Sequence, residues 1–217
     1  MKKLATLLLS ALLLLSALPA LAQGGGVVNV FNWEDYINED VIAMFEEETG
    51  IKVNYMRFTL NEDMMVQVRT SPGAFDVVFP SDYAIERMIA EDLLQPIDFA
   101  KVPNAENTLD WLKNPDYDPE NRYSVPYMWG TVGILYDTTR VKGPVDSWGA
   151  LFDEQYKGEV FMMDSPRDTL GVALKYLGYS VNSKNPQEIQ AAANLLIEQK
   201  QKGIVKAYQV DETKDKM

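Results

Sequence analysis

The order of strand-like and helix-like segments is the feature of this sequence that most limits its fold. Between residues 27 and 90, three short apolar or alternating segments are each followed by a segment with helical periodicity. The strand patterns are Val27–Phe31, Ile51–Phe58 and Phe75–Phe79, and the helix patterns run from about Asn38 to Gly50, Asn61 to Thr70 and Asp82 to Ala90. Parallel strands need crossover connections, so this order predicts an α/β fold with a doubly wound parallel sheet.

The first strand pattern ends in a cluster of aromatic and acidic residues, N-W-E-D-Y over positions 32–36. In open α/β sheets, ligands bind outside the carboxyl ends of the strands, where this cluster falls. Aromatic faces attract cations, and carboxylates pair with ammonium groups. Trp33, Asp35 and Tyr36 are therefore candidate contacts for an organic cation. The alternative is that both rings only cover the edge of the sheet.

Two later strand-to-helix corners carry similar polar residues. Ser81 and Tyr83 follow the third strand pattern, on the same expected edge as the first cluster. Asp164, Ser165 and Asp168 follow a strand pattern near residue 160. Each serine also has a local interpretation as the N-cap of the next helix, and S-P-R-D over 165–168 fits a capping box with proline at N1. A cation held between two lobes would need acids on both, so these residues stay candidates for ligand binding.

The segment Tyr123–Tyr136, YSVPYMWGTVGILY, separates the two halves of the sequence. Its glycines, Gly130 and Gly133, indicate a bend or a close backbone approach. We interpret it as a strand that leaves a first lobe and contains a hinge. The predicted organisation is a signal over 1–22, a first lobe over 23–129, a hinge crossing over 130–136 and a partial second lobe over 137–217.

The second lobe repeats the alternation of strands and helices. Its predicted elements are a short helix over Ser147–Phe152, a strand over Glu159–Met163, helices from about Pro166 to Leu177 and from Pro186 to Lys202, and a strand over Ile204–Tyr208.

The first 22 residues are typical of a cleavable secretory signal. Two lysines precede an apolar stretch over Leu4–Leu18, and an A-x-A site ends at Ala22. We therefore expect export to the periplasm, with no direct membrane insertion after cleavage. The formal net charge is −12, and loss of Lys2 and Lys3 makes it −14, because the segment contains no acid. Such a charge disfavours nucleic acid as a partner.

The sequence contains no cysteine and no histidine. Disulfides, thiolate metal sites, and Ser-His-Asp or Cys-His catalysis are therefore excluded, and a zinc site is disfavoured. The acidic stretch N-P-D-Y-D-P-E-N over 114–121 lacks the spacing of a Ca²⁺ loop. We expect neither a metal nor a cofactor. Chemistry with a pair of carboxylates, as in glycoside hydrolysis, remains open.

Several motifs in their order and spacing resemble the periplasmic polyamine-binding proteins, the spermidine/putrescine receptors of ABC importers. They extend over essentially all of 27–217 and include FNWEDYI, FEEETGIKV, FDVVFPSDY, SVPYMWGTVGI, YKG and KYLGYSVNS. The resemblance implies a two-lobed type II periplasmic binding protein fold whose cleft closes on an extended polyamine. It also implies delivery of that ligand to a membrane permease, and no enzymatic activity.

The resemblance also implies roles for individual residues. Trp33 and Tyr36 match aromatics that sandwich the ligand, and Tyr83 matches a tyrosine that contacts it, with Ser81 beside it. Asp35 and Asp168 match acidic positions where the family often has glutamate. Ser165 stands where some members carry aspartate, which leaves the preferred polyamine open.

Family members run well beyond residue 217, so the sequence is expected to be incomplete at the carboxyl end and to bind ligand weakly or not at all. Two alternatives are kept. One is a receptor of the same fold for another solute, such as an amino acid or a sugar. An amino acid would need an arginine for its carboxylate, and the clusters offer only Arg167. The other is an exported hydrolase that uses two carboxylates such as Asp35 and Asp168.

Overall fold

The computed structural model describes residues 25–210, so the predicted signal over 1–22 lies outside the described residues. The chain divides into two compact units, Met1–Tyr127 and Met128–Met217. We refer to them as unit 1 and unit 2.

Unit 1 is built on a parallel three-stranded sheet with helices between the strands. Its regular elements are β1 (Val27–Trp33), α1 (Glu39–Thr49), β2 (Lys52–Phe58), α2 (Asn61–Thr70), β3 (Val77–Val78) and α3 (Asp82–Ala90). The strand order is β2-β1-β3, and both neighbours run parallel to β1. The parallel alternation predicted for this region is confirmed.

The bounds of α1 and α2 agree with the sequence patterns. Asn38 caps α1 by accepting a hydrogen bond from the Asp40 backbone nitrogen. Gly50 ends the helix at φ 71°, in the left-handed region that favours glycine. The helix α2 spans the predicted residues and turns Met64 and Met65 into the core.

The core of unit 1 is aromatic and methionine-rich. Phe31 stacks on Phe75 with ring centroids 4.6 Å apart and meets Phe58 edge-on at 5.0 Å. Met64 and Met88 are fully buried beside these rings. Burying large side chains such as these contributes about 1.5–3 kcal/mol each, so this cluster fixes the sheet against α2 and α3.

The remainder of unit 1 is a series of turns, as the prolines and asparagines of 98–123 predict. Its short 3₁₀ helices are Phe99–Lys101, Pro103–Asn107, Asp110–Leu112 and Pro119–Asn121. Asp118 is 1% exposed, and its carboxylate accepts from the backbone nitrogens of Arg122 and Tyr123, each at 3.0 Å. The Ser124 hydroxyl donates to the same group at 2.6 Å. These bonds compensate the burial of the carboxylate and fix the turn.

Unit 2 contains a parallel pair of strands and two longer helices. Its elements are the 3₁₀ helices Trp148–Phe152 and Glu154–Tyr156, β4 (Val160–Met163), α4 (Pro166–Tyr176), α5 (Pro186–Gln201) and β5 (Val205–Gln209). Ala173, Leu174 and Ala192 form the buried contact between α4 and α5. Every predicted element of this region is present, although the helix at 148–152 is 3₁₀ rather than α.

The segment 124–136 differs from its prediction. It carries no strand, whereas the sequence predicted one over Tyr123–Tyr136. An apolar run becomes a strand only where a neighbouring strand pairs with its backbone. Among residues 25–210, no strand pairs with the segment 124–136. The third strand is also shorter than predicted, with only Val77 and Val78 assigned.

Within residues 25–210, no helix is both long and apolar enough to cross a membrane.

Candidate functional site

The first corner of unit 1 places two aromatic rings just past β1. The Trp33 and Tyr36 ring centroids lie 5.7 Å apart with their planes inclined by 33°. Trp33 is half-buried and also packs on Phe58 at 4.6 Å. Tyr36 is 40% exposed, and Asp35 is exposed beside it. Trp33 therefore covers part of the core, while Tyr36 is exposed, and the contact of either ring with a ligand stays a prediction.

Asn32 gives this corner its shape. Its side chain is fully buried, and its Oδ1 accepts from the Trp33 backbone nitrogen at 2.7 Å. A side chain thus satisfies the amide that would otherwise extend the strand ladder. The Trp33 backbone nitrogen therefore has a hydrogen-bond acceptor where the chain turns at Glu34.

The second corner of unit 1 is fixed by Asn61, which is 4% exposed at the start of α2. The Asn61 amide nitrogen donates to the Ser81 hydroxyl and to the Tyr83 hydroxyl, each at 3.0 Å. Its amide oxygen accepts from the Ser81 backbone nitrogen at 3.1 Å. The Tyr83 hydroxyl donates to Glu62 Oε1 at 3.2 Å. Ser81 makes no side-chain cap to α3, so the local interpretation of this serine is wrong.

The two corners lie at the same edge of the sheet because β1 and β3 are parallel neighbours. The Phe79 backbone nitrogen donates to the Phe31 carbonyl at 3.1 Å, which continues the pairing one residue past β3. Trp33 and Tyr83 pack against the same core cluster.

Tyr127 connects the two corners. Its ring lies 4.8 Å from that of Phe79 in an edge-on arrangement, and its hydroxyl donates to the Tyr36 backbone carbonyl. It therefore contacts the residues that lead into both clusters.

Sequence reasoning missed Asn61, Glu62 and Tyr127 as parts of this arrangement. Asn61 and Glu62 look like the ordinary polar start of a helix, and Tyr127 lies in a run whose pattern predicts a strand. Their partners are distant in sequence, up to 91 residues away for Tyr127. No local pattern could have revealed them.

The corner of unit 2 uses its residues differently. The Ser165 hydroxyl donates to Asp168 Oδ2 at 2.6 Å and accepts from the Asp168 backbone nitrogen at 3.4 Å. Ser165 is thus the N-cap of α4, with Pro166 in its first turn. The capping interpretation is confirmed. Asp164 is exposed, and its backbone nitrogen donates to the Gln209 carbonyl at 3.0 Å.

The corners of unit 1 carry several acids, at Glu34, Asp35, Glu62 and Asp82. Burial, followed by the charges of Asp82 and Asp118, raises the pKa of the Tyr117 phenol. This phenol therefore stays protonated at neutral pH. Within residues 25–210, no three acidic side chains come together in a group that could hold a metal ion.

The groups at this edge of unit 1 suit the recognition of a ligand. They combine ring faces, which suit hydrocarbon and cations, with hydroxyl and carboxylate oxygens, which suit hydrogen-bond donors. Binding groups past the carboxyl ends of parallel strands are the arrangement in which open α/β sheets hold ligands.

This chain belongs to the family of bacterial extracellular solute-binding proteins, whose sequence pattern matches residues 40–217. A solved structure described as a putative spermidine/putrescine ABC transporter from Listeria monocytogenes is 40% identical, with a TM-score of 0.85. The match covers 88% of this chain and 59% of that one.

Two curated relatives agree with that likeness. The spermidine/putrescine-binding periplasmic protein of Escherichia coli is 38% identical over 193 residues, covering 88% of this chain and 55% of the relative. The putrescine-binding periplasmic protein PotF of the same organism is 34% identical over 203 residues, with the same two shares. The chain thus spans about half the length of the curated relatives it matches. The predicted resemblance and fold class are confirmed, while the ligand-binding roles of individual residues stay predictions.

Proposed function

We propose that this chain is the recognition part of a polyamine receptor that captures putrescine or spermidine and hands it to the permease of an ABC importer. The proposal includes export by the signal over 1–22 and no enzymatic activity. Trp33, Tyr36 and Tyr83 contact the hydrocarbon and the ammonium groups, Ser81 accepts from an amine, and Asp35 supplies charge. Asp164, Ser165 and Asp168 are the proposed contacts from unit 2.

One observation carries the proposal. The half-buried Trp33 ring beside the exposed Tyr36 ring, and a pair of fixed hydroxyls, lie at one sheet edge in a chain 38% identical to a protein named for binding spermidine and putrescine. Putrescine and spermidine are chains of methylene groups with ammonium groups, so rings and oxygen acceptors complement both of their parts.

The alternatives fit the contacts less well. A receptor for an amino acid needs an arginine for the ligand carboxylate, but Arg167 donates to the Val181 carbonyl at 3.3 Å and to Asn182 Oδ1. For the hydrolase, the Asp168 carboxylate accepts a hydrogen bond from Ser165, and the two curated relatives are named as binding proteins.

The test is a ligand panel with the purified chain. NMR titrations with putrescine, spermidine, arginine and maltose would follow the Trp33 indole and the Tyr36 and Tyr83 rings. We expect saturable shifts with the two polyamines only. Since the chain spans about half the length of its relatives, the expected dissociation constant is roughly millimolar, or about −4 kcal/mol. Saturation by arginine or maltose, or no saturation with polyamines up to about ten times that constant, would contradict the proposal.

The export part has a separate test. Amino-terminal sequencing of the chain recovered from the periplasm of an expressing bacterium should begin at Gln23. A chain that retains Met1 in the cytoplasm would contradict the proposed signal.

A further inference from the structure

The hydrogen-bond directions around Tyr83 are determined by its neighbours. The Asn61 amide oxygen must face the Ser81 backbone nitrogen, which can only donate. The Asn61 amide nitrogen therefore faces the two hydroxyls and donates to both. Glu62 Oε1 can only accept when ionised, so the Tyr83 hydroxyl hydrogen points to Glu62. The Tyr83 oxygen can then meet any further group only as an acceptor.

That polarity selects the kind of ligand group that fits. An ammonium group carries hydrogens and no lone pair, so it needs an acceptor. A ligand carboxylate needs a donor, which the Tyr83 hydroxyl has already given to Glu62. The arrangement therefore favours cationic groups and disfavours anionic ones, independently of any direct contact with an acidic side chain.

Glu62 also contributes charge. Its Oε2 is inaccessible to solvent and has no hydrogen-bond partner among residues 25–210. The charge of this carboxylate lies one hydrogen bond behind the Tyr83 oxygen. Hydrogen bonds that involve a charged group are stronger than neutral ones, so the bond to Glu62 makes the Tyr83 oxygen a better acceptor.

We propose that Asn61 and Glu62 are positioning residues that fix the Tyr83 hydroxyl as an acceptor for a ligand ammonium group, with Glu62 selecting cations through that hydroxyl. This inference rests on the proposed polyamine function, and it adds two residues that do not themselves touch the ligand.

The experiment is a double-mutant cycle measured by NMR titration with putrescine. Glu62→Gln keeps the size of the side chain and removes the charge, and Tyr83→Phe removes the hydroxyl. We expect Glu62→Gln to weaken putrescine binding about tenfold, as for the loss of a charge-assisted hydrogen bond. In the Tyr83→Phe background, the same change should cost less than twofold, because Glu62 acts through the hydroxyl.

Asp63→Asn is the matched control. Asp63 is exposed, lies in the same first turn of α2 and carries the same charge. It should change binding less than twofold, and thermal unfolding would verify that each variant is folded. Equal losses for Asp63→Asn and Glu62→Gln, or additive losses in the cycle, would overturn the inference.

Failure of the function is distinguishable from failure of the positioning. If the unsubstituted chain shows no saturable shift with putrescine, the proposed function and the inference both fail. If it binds and Glu62→Gln leaves the dissociation constant unchanged, only the inference fails.

Discussion

Two serines each lie between a strand and the helix that follows it, but their side chains make different hydrogen bonds. Ser165, in unit 2, bonds to a residue three positions away and caps its own helix. Ser81, in unit 1, caps nothing and is bonded through both its hydroxyl and its backbone nitrogen to Asn61, 20 positions away. One corner is organised by local contacts and the other by long-range ones.

The difference begins three residues after each serine. Asp168 occupies N3 of α4, and its carboxylate accepts from the Ser165 hydroxyl, whereas the corresponding residue after Ser81 is Ala84, which has no side-chain acceptor. The Ser81 hydroxyl instead accepts from the Asn61 amide nitrogen at the start of α2. A corner held by another element keeps its geometry only when the whole unit is folded.

The largest expected effect is that of Asn61→Ala. It removes three hydrogen bonds from a buried side chain and leaves the Ser81 backbone nitrogen without its acceptor. We expect the unfolding free energy to fall by about 2–3 kcal/mol, at roughly 1 kcal/mol for each bond. Urea denaturation followed by tryptophan fluorescence would measure it.

Asn107→Ala is the control for that change, since Asn107 is exposed in a 3₁₀ turn of the same unit. It should shift stability by less than about 0.5 kcal/mol. If the two variants are equally stable, the long-range corner is no better fixed than an exposed turn, and the contrast with Ser165 disappears.

The next largest effect compares a proposed ligand contact of unit 1, Trp33, with one of unit 2, Asp168. Trp33→Ala removes a ring face and apolar burial, so we expect putrescine binding to weaken by about 1–2 kcal/mol, or roughly 5–30-fold. Asp168→Asn should cost less, because the Asp168 carboxylate already accepts from Ser165. NMR titration of each variant gives the dissociation constants.

Trp33→Phe, which keeps a smaller ring, should lose less than Trp33→Ala, and Trp111→Ala, in an exposed turn of unit 1, should stay within twofold of the unsubstituted chain. A larger loss for Asp168→Asn than for Trp33→Ala would make the locally organised corner the stronger ligand contact.

A smaller effect compares substitutions at the two serines, Ser165 and Ser81, by their change in stability. Ser165→Ala should destabilise unit 2 by about 1 kcal/mol, and Ser165→Asn should be nearly neutral, since asparagine caps helices about as well as serine. At position 81, asparagine should be worse than alanine, because its larger side chain meets the buried Asn61 amide. Hydrogen exchange of α4 and α3 peptides would report each unit separately. Identical rankings at both positions would mean that both serines act as caps.

The difference between local and long-range contacts also explains what the sequence could predict. The bounds of α1 and α2, the cap at Ser165 and the parallel strand order follow from contacts within a few residues or from strand–helix alternation. The Asn61 network could not be predicted, because it depends on which polar residues two separate helices bring together. The strand expected over 123–136 was wrong for a related reason, since an apolar run does not specify the neighbour that it must pair with.

The smallest effect contrasts a long-range ion pair with a local one. Glu91, just after α3, pairs with Arg69 at the end of α2 and with Arg87, and hydrogen bonds from both guanidinium groups lower its pKa. Asp110 pairs with Lys113 within its own turn, and the hydrogen bond from Lys113 lowers the pKa of Asp110. A depressed folded pKa means that the carboxylate stabilises the fold above its unfolded pKa, about 4.3 for glutamate. This stabilisation is lost as the pH falls through the folded value.

Glu91→Gln should therefore reduce the loss of stability on acidification below about pH 4.5. Asp110→Asn should change it less, because a pair three residues apart can form in part without the folded unit. Urea midpoints between pH 3 and 7 would measure both. An equal or larger change for Asp110→Asn would show that the pairing of Arg69 with Glu91 does not hold α2 to α3, the two helices that carry Asn61 and Tyr83.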